Sequence, residues 1–246
     1  MAAIAVLSLL GCGGASASSP ERVADQLIQT DTALRSAIDE WRAGGDPPSV
    51  EPPQEALDQA EALEDDSVYL ARHPNLTRQV LPLVPSGLRA ELRRLATAKH
   101  DLLRLSRGVP NHKFKVGAPA PLSDLVSFYR GAQSRYRVGW NYLAAVNLVE
   151  TKFGRVKSNS VAGAQGPMQF IPSTWRIYGN GGDIHDPHDA ILGAANLLQA
   201  NGAPPRYSRA LRAYNDSGLY VDAVTRYARE IAANPYGLYY LYCWQP

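Results

Sequence analysis

Along the segment Trp140–Lys152, Leu143, Val146, Asn147 and Glu150 recur at i, i+3, i+4 and i+7. On a helix that spacing puts the Glu150 carboxyl on the same stripe as the apolar side chains. A carboxylate there costs free energy unless it is paired or protonated, so burial should raise its pKa. A carboxylic acid that keeps its proton near neutral pH is what cleavage of a glycosidic bond needs, because the leaving oxygen must be protonated. A second account also fits: a buried Glu neutralised by an arginine such as Arg155 or Arg176. From periodicity alone the ion pair is the simpler of the two.

The residues that follow bear on the choice. Glu150-Thr151-Lys152-Phe153-Gly154 leads into a polar loop and then Ser160-Val161-Ala162-Gly163-Ala164-Gln165-Gly166-Pro167-Met168-Gln169-Phe170. Gly163 and Gly166 allow a close backbone approach or a turn at positive φ. Ser160 and Gln169 offer donors and acceptors to sugar hydroxyls and N-acetyl groups. Further on stands Ala213-Tyr214-Asn215. A hydrolase with two carboxylates needs the second facing the first across the scissile bond, yet no Asp or Glu lies between Thr151 and Gly182. Asp183, Asp186 and Asp189 are the nearest candidates. Asp186 and Asp189 are read as helix-start residues, which leaves Asp183 open in its Gly-rich loop. His185 and His188 lack companion ligands and read as surface residues; no calcium loop or other metal set is expected.

These residues need elements to hold them. The sequence divides near 109–121, where Gly108-Val109-Pro110 and Gly117-Ala118-Pro119-Ala120-Pro121 punctuate it. Upstream, Val23, Leu27, Leu34, Ile38 and Trp41 form one helical stripe, and Leu88, Leu92, Leu95 and Leu102 a second. Between them Glu51–Asp66 carries acidic residues and no basic one, which reads as a solvated helix face. Residues 21–108 therefore predict a helical accessory region with no nucleophile, metal cluster or phosphate loop. Downstream, helices are expected over Asp124–Arg137 and Trp140–Lys152, the latter stopped by Gly154. Ser173 is expected to cap a short helix ending near Gly179. Asp186-Pro187 should open a helix over Ile191–Ala200 that Gly202 stops. Tyr220, Val224, Tyr227 and Ile231 mark a last amphipathic helix closed by Asn234-Pro235. The Tyr220/Tyr227 spacing reads as core packing, while other tyrosines near the end could stack on sugars. The fold class is mainly α, with any sheet small.

A formal charge of +2 excludes the strong basic field of a dedicated nucleic-acid binder. Residues 123–246 hold 12 Lys/Arg against 8 Asp/Glu, a mildly cationic half that suits a polyanionic matrix. Met1 to Gly11 is apolar or small but shorter than the roughly 20 residues a bilayer span needs, and reads as the core of a signal peptide. No Lys or Arg precedes it. Leu9-Leu10-Gly11-Cys12, followed by the Gly/Ser-rich run to Pro20, resembles a bacterial lipobox and tether, with Cys12 the lipidated residue. The only other cysteine is Cys243, so no internal disulfide is expected once Cys12 is acylated.

The ordered blocks Glu150-Thr151, Gly166-Pro167-Met168-Gln169 and Ala213-Tyr214-Asn215 resemble the transglycosylase domain of the soluble lytic transglycosylase family, related in fold to goose-type lysozyme. That family shows Glu-Ser, Gly-Leu-Met-Gln and Ala-Tyr-Asn in this order. Gly166-Pro167-Met168-Gln169-Phe170-Ile171-Pro172-Ser173, with Asp186-Pro187 later, looks closer to a branch akin to membrane-bound lytic transglycosylase B. Thr151 for Ser keeps the hydroxyl, while Pro167 for Leu removes one backbone N–H. The resemblance implies a lysozyme-like catalytic domain over 122–246, joined by the 109–121 linker to the α-helical bundle region 21–108 and the leader and tether 1–20. It implies Glu150 as the single acid/base, with Thr151, Ser160, Met168, Gln169, Tyr214 and Asn215 at the sugar site. No cofactor is implied. The expected reaction cleaves the MurNAc-β-1,4-GlcNAc bond and leaves 1,6-anhydro-MurNAc ends. A water-using muramidase and an inactive wall-binding lipoprotein are the alternatives. The expected partners are peptidoglycan strands, the membrane through a lipid anchor, and cell-wall or division proteins through the N-terminal helices. The place is extracytoplasmic.

Overall fold

A computed structural model describes residues 19–108 and 114–246. The expected leader and lipobox, with Cys12, lie outside the described residues, as does the stretch 109–113 of the expected linker. Among the described residues eleven α-helices follow in chain order: α1 (Pro20–Arg42), α2 (Gln54–Arg72), α3 (Pro74–Val80), α4 (Ser86–Leu105), α5 (Leu122–Tyr136), α6 (Trp140–Thr151), α7 (Pro172–Tyr178), α8 (Pro187–Ala200), α9 (Tyr207–Tyr214), α10 (Gly218–Ala233) and α11 (Gly237–Cys243). Among the described residues the only β pairing is two isolated bridges, Val116 with Val156 and Gln165 with Phe170. The protein is mainly α.

Local chemistry sets the helix ends. Ser19 accepts a hydrogen bond from the Arg22 amide and Pro20 opens α1, whose stripe Val23, Leu27, Leu34, Ile38 and Trp41 is buried. Asp186 caps α8 by accepting from the Asp189 amide at 2.9 Å, with Pro187 in the first turn. Gly202 takes φ 109° just beyond α8. Other ends differ from expectation. Pro172 rather than Ser173 starts α7, and Ile171 holds the cap position. Asn234-Pro235 ends α10 but not the helical structure, because α11 follows with its whole length buried. Leu102 is only half-buried, unlike Leu88, Leu92 and Leu95.

α10 is the shared wall of the molecule. It packs along α4 on one side and α6 on the other, while α2 joins α1, α4 and α11. A single cluster of buried apolar side chains runs from Val23 in α1 to Trp244 after α11. Each large apolar side chain in it contributes roughly 1.5–3 kcal/mol relative to exposure. α6 lies at the centre. Its nine consecutive residues Leu143–Thr151 are all buried, so the helix is enclosed on every face rather than along one stripe.

Candidate active site

α6 ends abruptly. Lys152 (φ 51°), Phe153 (φ 59°) and Gly154 (φ 84°) are three successive left-handed residues. For the two that carry a Cβ this conformation costs roughly 1–2 kcal/mol each. Thr151 secures the turn: its hydroxyl donates to the Pro167 carbonyl at 2.6 Å and accepts from the Gly154 amide at 2.9 Å. Asn147, one turn earlier, donates to the same carbonyl at 2.9 Å and accepts from the Tyr129 hydroxyl at 2.6 Å. The end of α6 is thus bonded to the Gly166–Gln169 loop.

That loop is closed by a reciprocal pair of backbone bonds between Gln165 and Phe170, both 2.9 Å. Gly166 takes φ 72°, and a Cβ there would stand 1.8 Å from the Ile184 carbonyl oxygen, so only glycine fits. Gln169 is also left-handed (φ 48°), is buried, and donates to the Gly166 carbonyl at 3.0 Å. Met168 is buried, and its carbonyl accepts from the Tyr214 hydroxyl at 2.6 Å.

Glu150 is 2% exposed. Its Oε1 accepts from the Tyr220 hydroxyl at 2.7 Å, while its buried Oε2 has no hydrogen-bond partner among the described residues. Burial pushes the carboxyl pKa up to about 7, and the Tyr220 bond opposes that shift. The rings of Tyr214 and Tyr220 stack at 6.5 Å. Burial and the nearby carboxyl raise both phenol pKa values well above normal, so both stay neutral donors.

The arginine alternative is not realised. Arg155 is buried over the Tyr242 ring at 4.7 Å and donates to the Lys152 carbonyl, while Arg176 is exposed; neither pairs with Glu150. Asn215 is buried at the end of α9. Ser160 is half-buried and accepts from the Ala164 amide at 2.9 Å, a bond within its own loop rather than to Glu150. Asp183 is exposed, its carboxylate accepting from the His185 amide at 2.8 Å. His185 and His188 are exposed. Ligand atoms of Asp186, His188 and Asp189 lie within 4.8 Å of one another on the surface, but the two carboxylates already accept backbone bonds at the start of α8.

Sequence reasoning missed two features. Tyr220 packs in the core as expected, but its hydroxyl is on the catalytic candidate. A buried phenol needs a partner, and that requirement was the available signal. The acidic stretch Glu51–Asp66 is not wholly solvated either. Glu64 is 8% exposed and pairs with both Lys99 and Lys152. Those residues, with Glu150, Arg72, Leu103 and Trp244, line one recess where α2 and α4 meet the end of α6.

Residues 127–236, from α5 through α10, match the family model described as Transglycosylase SLT domain. By this match the segment, somewhat less than half of the chain, is similar to SLT-type domains, a family whose members are lytic transglycosylases acting on peptidoglycan. No curated protein and no solved structure matches the chain.

Proposed function

We propose that the protein is a lytic transglycosylase that cuts the MurNAc-β-1,4-GlcNAc bond of peptidoglycan, with Glu150 as its one acid/base. The observation that carries this reading is the state of that carboxyl: buried, unpaired by any arginine, and shifted to about 7. Its proton goes to the departing GlcNAc oxygen as the C1–O bond breaks, and the substrate's 2-acetamido group supports C1 from the opposite face. Glu150 then takes the proton of the C6 hydroxyl, whose oxygen closes on C1 to give the 1,6-anhydro end. No water is consumed and the enzyme returns to its starting protonation.

In this reading Met168, Gln169, Tyr214 and Asn215 bind the sugar, with Thr151 and Ser160 beside them. Residues 122–246 are the catalytic unit and 21–108 an accessory bundle open to wall or division partners. Among the described residues no helix is long and apolar enough to cross a membrane. Lipidation at Cys12 would supply the anchor and place the enzyme outside the cytoplasm.

The test is digestion of purified sacculi followed by mass spectrometry. Anhydro ends are expected from the wild type and not from Glu150→Gln. Reducing ends instead would make the protein a water-using muramidase. No increase in either would leave a wall-binding lipoprotein.

A further inference from the structure

The turn that ends α6 carries an attachment that the reaction scheme does not use. Lys152 stands two residues after Glu150 as the left-handed cap of α6. Its ammonium reaches out of the SLT-type segment and pairs with Glu64 on α2, which also pairs with Lys99 on α4. The Trp244 ring covers both ammonium groups, 4.2 Å from the Lys99 nitrogen and 5.0 Å from that of Lys152. All four side chains line the recess that Glu150 lines. Left-handed residues with a Cβ persist only where their surroundings over-determine them, and such strain gathers at functional sites. Here Thr151 binds the turn to the Gln169 loop, Phe153 is buried against Tyr242, and Lys152 is bound to α2.

We propose that Glu64 of the accessory bundle is a positioning residue for Glu150, acting through its grip on Lys152, which fixes the left-handed turn at the end of α6. The bundle is thereby part of the catalytic apparatus although it touches no reacting atom. This rests on the lytic transglycosylase reading. A small misplacement of an acid/base relative to its bond lowers turnover by one to two orders of magnitude, so kcat is the sensitive quantity.

The experiment compares Lys152→Met, Lys152→Arg and Lys99→Met in the full chain, on solubilised glycan strands well below each variant's Tm. Lys152→Met removes the tether yet leaves Glu64 paired with Lys99, which protects the fold. It should lose at least about tenfold in kcat with KM within about twofold. Lys152→Arg should restore turnover, and Lys99→Met should keep it. Adding Glu64→Gln to Lys152→Met should cause no further loss, as expected of two residues acting through one contact. Wild-type kcat in Lys152→Met, or an equal loss in Lys99→Met, overturns the inference. A wild type that releases neither kind of glycan end removes the reading beneath it.

Discussion

Glu64 and Glu150 line the same recess and are both almost wholly withdrawn from water. Burial pushes each carboxyl toward its protonated form, and the partners then decide the result. Around Glu64 the ammonium groups of Lys152 and Lys99 outweigh burial and hold its pKa below the ordinary value. Around Glu150 there is one neutral phenol, which only partly offsets burial. The first carboxyl is a fixed anion suited to holding chain segments together. The second is suited to giving up a proton and taking it back. Lys152 marks the boundary between the two: burial outweighs its pairing with Glu64 and brings its own pKa down to about 8.

The contrast can be broken most severely by Glu150→Gln. Release of glycan ends should fall by about 10³-fold, within the usual range for loss of a general acid. Next comes Glu64→Ala, which leaves two lysines buried without their anion. Chemical denaturation should show a loss of roughly 3–5 kcal/mol. Glu150→Gln should move stability the other way. The folded pKa of about 7 lies above the ordinary glutamate value of 4.5, so the penalty is absent below pH 4.5, grows between there and pH 7 and is fully present above it. The variant should match wild type near pH 4 and exceed it by about 3 kcal/mol at pH 8. An equal gain at both pH values would show that the carboxyl does not titrate in this window. The smallest effect belongs to Tyr220→Phe. Losing the bond that stabilises the anion should raise the Glu150 pKa. The alkaline limb of the pH–rate profile should then move upward by up to about one unit.

What could be read from the sequence was what is local. The α1 stripe, the Asp186 cap and the left-handed stop after α6 each depend on residues a few positions apart, and each is present. α11 was not legible because Gly237–Cys243 is buried throughout and shows no polar face to mark a period. The role of Glu64 was hidden because its partners are 35 and 88 residues away. A run of acids looks solvated until the distant cations are placed beside it. Tyr220 was legible as buried, but its hydrogen-bond partner lies 70 residues earlier. Of the two accounts open for Glu150, only the fold could reject the arginine.

The place of α10 between α4 and α6 bears on how this protein can be inherited. Glu230 of α10 is fully enclosed and takes its counter-charge from Arg94 of α4, and Arg226 takes its own from Asp101. A fragment beginning at α5 would keep the whole matched segment yet strand that enclosed anion. The matched segment is therefore not a cassette that recombination can lift away intact: the early helices and the late ones must travel as a single heirloom.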